Sequence, residues 1–185
     1  RIDRSSPSET QQRPNLAFGI YLPKTVLTNQ EIESWKILTP GGHILTAESI
    51  EKRTGVTKRY VADKNETPFS MALHASQEAL TNAGRNIDAV FVSTSFPTGE
   101  NLSARLQKEF GISGFHLDVH AACSGFTLSL AYIKEYEEEF LGKEILFVAT
   151  EKYSPHLYDL RSDDAHNDAS LAQTIFSDGA AAMVF

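Results

Sequence analysis

The chain holds one cysteine, Cys123, within Leu117-Asp118-Val119-His120-Ala121-Ala122-Cys123-Ser124-Gly125-Phe126, where an apolar run gives way through small residues to a helical pattern. A thiol in the first turn of a helix meets the positive end of the helix dipole and N–H groups with no intrahelical partner. Both favour the thiolate, which is the nucleophilic form. Ala121, Ala122, Ser124 and Gly125 keep bulk away from the sulfur, as attack on a thioester carbonyl requires, and the Cys123 N–H is placed to face a developing oxyanion. The same pattern has a second account, because cysteine is often a simple buried hydrophobe and small neighbours also permit close packing without chemistry.

Other residues compete for a chemical role. Lys52, Arg53, Lys58 and Arg59 place four positive charges within eight residues of a chain whose net charge is −7. They suit a phosphate or an acidic protein partner, or they form a solvated basic turn. His120 lies three residues before Cys123, but a strand followed by a bend does not by itself bring the two together. Asp163, Asp164, His166 and Asp168 offer metal-ligand chemistry, yet read more simply as a hydrophilic loop, so no metal is expected. Trp35 and the Phe residues at 91, 110, 115 and 126 read as core, with Phe126 near enough to the thiol to touch an acyl chain.

The elements that must position these groups alternate along the chain. A strand is predicted over Leu16 to Tyr21, and a helix from Thr28, whose partner Glu31 completes a capping box, through Trp35. A short helix runs to about Arg53 with Gly55 as its cap. Another starts at Thr67-Pro68, shows the stripe Met71, Ala75, Ala79 and Leu80, and closes at Gly84. The continuous apolar run Ala89 to Val92 is the kind a parallel sheet buries on both faces. A helix over Leu102 to Phe110, a strand over Phe115 to Ala121, one helix from Cys123 to Phe140, and strands over Ile145 to Thr150 and Ala180 to Phe185 complete an α/β series. Residues 152–170 read as a long polar loop, and residues 1–15 as a flexible tail ahead of one domain over 16–185.

Composition narrows the function. With 185 residues, 41% hydrophobic and 22% charged, the chain can bury one domain-sized core. The acidic balance argues against a nucleic-acid surface, no apolar run is long enough to span a membrane, and a single cysteine fits a reducing cytoplasm. The apolar ending Ala-Ala-Ala-Met-Val-Phe is expected to need cover from elsewhere.

Four motifs then stand in order at suitable spacing: Tyr21-Leu22-Pro23 with Leu27-Thr28-Asn29; Arg53-Thr54-Gly55-Val56 with Arg59 and Asn65-Glu66-Thr67; Asp118 to Phe126; and Phe176-Ser177-Asp178-Gly179-Ala180-Ala181-Ala182. Together they resemble the β-ketoacyl-acyl carrier protein synthase III family. The resemblance implies the N-terminal αβα half of a thiolase-like fold, with a mixed, mostly parallel sheet and a nucleophile-bearing helix. It implies that Cys123 takes an acyl group from a thioester and that condensation with malonyl-acyl carrier protein follows, with no bound cofactor. The family's condensing His and Asn lie in the second half, so a C-terminal thiolase half, in the same chain or another subunit, is expected as partner.

The resemblance further implies an acyl carrier protein as partner, met by Lys52, Arg53, Lys58 and Arg59, and a homodimer in which a strand near Phe91 pairs across the axis. Where the family often has a Trp that stacks on coenzyme A adenine this chain has Ser49, and where it often has an Arg before the late turn the chain has about Ser170. Those departures favour an acyl-acyl carrier protein donor over acyl-CoA. Acyl transfer to a different acceptor and a non-catalytic thiolase-like partner subunit remain the alternatives.

Overall fold

Thr28, Thr46 and Thr67 each open a helix with the same reciprocal hydrogen bonds. The threonine Oγ1 accepts from the N–H of Glu31, Ser49 or Ser70, whose own side chain accepts from the threonine N–H. Each box satisfies donors that a helix end otherwise leaves open and contributes about 1 kcal/mol. They start α1 (Asn29–Ser34), α2 (Ala47–Thr54) and α3 (Pro68–Ala83), and α2 and α3 end on left-handed Gly55 and Gly84 as the sequence predicts. The computed structural model describes residues 15–39, 41–160 and 170–185. The expected tail, apart from Asn15, and residues 161–169 of the expected loop at 152–170 lie outside the described residues, and a helix over Ser154–Asp159 occupies part of that expected loop.

Five strands make the main sheet: β1 (Ala17–Tyr21), β4 (Ala89–Ser93), β5 (Phe115–Val119), β6 (Ile145–Glu151) and β7 (Gly179–Val184), in the order β1-β7-β6-β4-β5. β4 pairs in parallel with β5 and β6, while β7 runs antiparallel between β6 and β1, so every strand but β7 points the same way. One face carries α3 and α4 (Leu102–Phe110), with Met71, Ala72, Ala75, Ala79, Leu102 and Leu106 packed on Val90, Val92, Leu146, Val148, Ala182 and Val184. The other face carries α5 (Gly125–Glu135) and α6 (Glu137–Phe140), where Phe91 lies among Phe115, Tyr132 and Phe140. This is the αβα layering expected of the sequence. Among the described residues no helix is long and apolar enough to cross a membrane.

Three features depart from expectation. The strand near Phe91 is β4, the hydrogen-bonded neighbour of both β5 and β6, so it has no free edge with which to pair across a dimer axis; the sheet's outer strands are β1 and β5. The helix expected to run unbroken from Cys123 to Phe140 consists of a 3₁₀ turn over Ala122–Ser124, then α5, then α6, with Tyr136 (φ −107°, ψ 39°) outside helical geometry between them. Glu137, Glu138 and Glu139 suit a first turn, where the dipole favours negative charge, better than a helix interior where they repel.

The third departure is a second sheet, in which β2 (Thr25–Thr28) pairs antiparallel with β3 (Lys58–Val61). It closes its own core of Leu27, Ile32, Ile37, Leu45, Ile50 and Val61 with Leu157 and Leu160 from α7 (Ser154–Asp159) and the residue after it. Through β3 this small sheet is tied to β7. Buried Asp178 accepts from the N–H of Ala62 (2.7 Å), Tyr153 (2.6 Å) and Ser154 (2.7 Å), while its own N–H donates to the Tyr60 carbonyl. Asp178→Ala strands three N–H donors, each worth roughly 1–3 kcal/mol when buried and unpaired. We expect urea titration to show a loss of about 3–5 kcal/mol, and Asp178→Asn, which keeps an acceptor oxygen, to lose less.

At the other end of this junction the Tyr21 hydroxyl donates to Glu66. That bond first, then the Asp63 N–H, holds the Glu66 carboxyl below its ordinary value of 4.5, and Glu66 holds the Tyr21 phenol above 10. The contribution of a depressed carboxyl is present above its unfolded pKa and is lost as pH falls through the lower folded one; that of the raised phenol is lost as pH rises past 10. Tyr21→Phe is accordingly expected to flatten the acid limb of the stability–pH profile, measured by thermal melts from pH 3 to 7 (about the carboxylate range).

Candidate active site

β5 delivers the chain to the Cys123 segment, and Asp118 fixes its end. The carboxylate accepts from the first N–H groups of α4, Leu102 (2.7 Å) and Ser103 (2.8 Å), a charge-assisted cap that locks strand to helix. The backbone then turns through Ala121 and Ala122, and Ala122 has φ +47°, left-handed geometry that costs a β-carbon-bearing residue about 1–3 kcal/mol. Two hydrogen bonds hold the turn, from the Ser124 N–H to the Ala121 carbonyl (3.0 Å) and from the Gly125 N–H to the Ala122 carbonyl; neither uses the Cys123 N–H.

Gly125 sets how closely α5 can approach the sheet. A β-carbon there would lie 1.7 Å from the Ser93 Oγ at the end of β4, so only glycine permits this approach. Cys123 therefore sits in the 3₁₀ turn that leads into α5, rather than in the first turn of α5 itself, and it is exposed. Exposure removes the account in which this cysteine is a buried hydrophobe.

Beside Cys123 lies a cavity of about 380 Å³, walled by Phe96, Tyr153, Phe176, Ser95, Ser177 and Glu151. Ser95 and Phe96 follow β4, Cys123 follows β5, and Tyr153 follows β6, so the cavity occupies the crevice outside the carboxyl ends of the parallel strands. The aromatic rings touch one another: Tyr153 is 4.8 Å from Phe176 and 5.9 Å from Phe96, centroid to centroid. Burial pushes the Tyr153 phenol above its ordinary range, which keeps it neutral at physiological pH.

Phe126 is not among the walls. One residue past Gly125 it turns to β6, its ring edge-on to Phe147 at 4.9 Å and 39% exposed. The side chains at the strand ends replace it, and the signal for two of them in the sequence is position: Phe96 and Tyr153 each follow an apolar parallel-strand run by a few residues, whereas Phe176 precedes β7.

The basic cluster divides. Lys52, Arg53 and Lys58 are exposed, with Lys52 and Arg53 in the last turn of α2. Arg59 is fully buried: its guanidinium donates to the Asn29 Oδ1 and the Thr174 carbonyl, and burial pushes its pKa down to about 10. On β3, Arg59 alternates inward while Lys58 points out, so it ties β3 to α1 and is not available to a docking partner. Ser49, which stands in place of the stacking Trp of the resembled family, is half of the Thr46 capping box. His120 is exposed, and among the described residues no hydrogen bond joins it to Cys123. Asp163, Asp164, His166 and Asp168, with the side chain of Ser170, lie outside the described residues.

This topology is that of thiolase-fold condensing enzymes. The β-ketoacyl synthase III of Thermus thermophilus superposes with a TM-score of 0.71 at 29% identity, covering 91% of this chain and 49% of that one. The priming β-ketosynthase of the R1128 polyketide pathway does so at 0.66 and 34%, over 91% and 48%.

In sequence, residues 117–185 match the family model described as 3-oxoacyl-[acyl-carrier-protein] synthase III. The β-ketoacyl-[acyl-carrier-protein] synthases III of Bartonella bacilliformis and Agrobacterium fabrum are 37% and 33% identical to the chain, over 74% and 90% of it and 42% and 49% of the relatives. The chain is thus similar to β-ketoacyl-[acyl-carrier-protein] synthases III, and it spans about half the length of these relatives.

The close approach at Gly125 yields a test. Gly125→Ala must push α5 from Ser93, a strain of about 1–3 kcal/mol in a packed site. Alkylation of Cys123 by iodoacetamide, followed by mass, is expected to change rate in this variant while Gly41→Ala, whose β-carbon would meet only ordinary contacts, leaves it as in the parent.

Proposed function

We propose that the chain carries the acyl-accepting half of a β-ketoacyl synthase III-type enzyme, with Cys123 as the nucleophile. The observation that carries this is the exposed thiol on the Ala122 turn, opening on an aromatic-walled cavity of about 380 Å³. In the first step the Cys123 thiolate bonds to the carbonyl carbon of an acyl thioester, and collapse of the tetrahedral adduct breaks the bond to the carrier sulfur, which leaves as a thiolate and takes up a proton. The Cys123 N–H, uninvolved in the turn's hydrogen bonds, is a donor for the adduct's oxyanion. In the second step the carbanion left when a malonyl thioester loses CO₂ attacks the same carbon and expels Cys123, giving the β-ketoacyl product.

The second step needs groups that this chain is not assigned. Support for a second half comes from apolar surface on the α5 side of the sheet: Phe126, Leu128 and Leu130 of α5 and Phe18 (53%) and Ile20 (63%) of β1 are exposed. We place a C-terminal thiolase half over residues of this face, from the same chain or another subunit. For the carrier, Lys52, Arg53 and Lys58 offer an exposed positive patch to an acidic acyl carrier protein. A homodimer, if formed through the sheet, would use the outer edge of β5 in place of the strand near Phe91.

The test uses the full-length protein that carries this chain, with malonyl-acyl carrier protein and either acyl-CoA or acyl-acyl carrier protein. Release of CO₂ together with a β-ketoacyl product, abolished in Cys123→Ala, is the expected result. Acylation of some other acceptor without CO₂ release would favour specialised acyl transfer, and a folded, full-length protein inert to every donor would favour a non-catalytic partner. Charge reversal of Lys52, Arg53 and Lys58 is expected to raise KM for the carrier-borne donor about 10-fold or more with little change for acyl-CoA.

A further inference from the structure

A second cavity, of about 320 Å³, adjoins the one at Cys123, between the start of α3, the 94–100 loop and the start of α7. The two cavities have only Phe96 and Glu151 in common among their walls. Phe96 thus stands between them, and its ring packs against a pair of rings that also touch each other: it is stacked on His156 at 4.5 Å and 28° and tilted against Tyr153 at 5.9 Å, with those two 5.5 Å apart.

The backbone that carries Phe96 is fixed just as tightly. The Glu151 carboxylate accepts from the Ser95 N–H (2.5 Å), the Ser95 Oγ (2.7 Å) and the Thr94 Oγ1 (3.5 Å), clamping the two residues before Phe96 to the end of β6. Glu151 is itself held between two tied neighbours. The Thr150 Oγ1 donates to the Pro68 carbonyl, and the Lys152 Nζ donates to the Asp63 and Glu66 carbonyls. A side chain that merely filled surface space would not need its loop anchored in this way.

We propose that Phe96 is the specificity-determining wall of the acyl site, closing the Cys123 cavity against the second cavity and so limiting the length of acyl chain that Cys123 accepts, with Glu151 as the positioning residue that holds it. This rests on the reading of Cys123 as the acyl acceptor. Opening the wall joins the two spaces, and an apolar chain that gains room for one methylene gains roughly 10-fold or more in rate against a competitor.

The test is a chain-length profile. Full-length protein is incubated with straight-chain acyl thioesters of increasing length, without malonyl donor, and the rate of Cys123 acylation is followed by intact mass for the parent, Phe96→Ala and Phe96→Trp. Phe96→Ala is expected to raise the ratio of long- to short-chain acylation about 10-fold or more, and Phe96→Trp to lower it. Phe96→Leu, a smaller change of the same sign, stands in if the alanine variant does not fold. Glu151→Gln, which frees the loop without removing the ring, is expected to broaden the profile.

Acylation of all variants with an unchanged ratio overturns the role of Phe96 while leaving Cys123 as acceptor. No acylation of the folded parent by any donor overturns both together.

Discussion

Asp178 is a carboxylate taken out of water and compensated entirely by backbone N–H groups, and the geometry around Cys123 depends on that arrangement. Its two oxygens bind the chain after β3 and the chain after β6, and its own peptide bonds to β3, so three separate segments converge on one charge. Ser177, the residue before it, accepts from the Tyr60 N–H, and Phe176 and Tyr153 are thereby brought ring to ring. A buried charge with one donor missing is expensive, so these segments are held in a single arrangement. The cavity walls inherit their precision from a group that does not touch the Cys123 sulfur.

The Cys123 turn is fixed by steric constraint more than by hydrogen bonding. Left-handed Ala122 stores strain, and it persists because β5 is locked to α4 through Asp118 on one side and α5 is seated against Ser93 on the other. What this achieves is exposure: the chain lifts the cysteine out of the sheet end, where small neighbours leave it accessible, and the aromatic cavity lies beside it. The proposed reaction must admit a thioester and hold its acyl chain away from water, and for it an open sulfur next to an apolar wall is the required pairing.

Much of this was legible in the sequence where a local rule acts alone. The Thr28–Glu31 cap, the Thr67-Pro68 start, the Gly55 and Gly84 ends and the apolar run of β4 follow from short-range sterics and periodicity, and the structure has them. Legibility fails where a tertiary partner decides. Lys58 and Arg59 look alike as charges, yet strand alternation turns one to water and buries the other against Asn29 and Thr174, a distinction that required knowing that β3 exists. Phe126 looks close to Cys123 in the chain, but the start of α5 swings it to Phe147, and Phe96 and Tyr153 reach the cavity from other strands.

The account stands on Cys123 as the atom that becomes acylated, and that is most directly tested by locating the acyl group. Full-length protein incubated with an acyl thioester, quenched in acid without malonyl donor and digested, is expected to carry the acyl mass on the peptide containing Cys123 and on no other. An acyl group mapped to a different residue, or a folded protein that consumes the thioester and forms β-ketoacyl product while Cys123 is replaced by alanine, would contradict it.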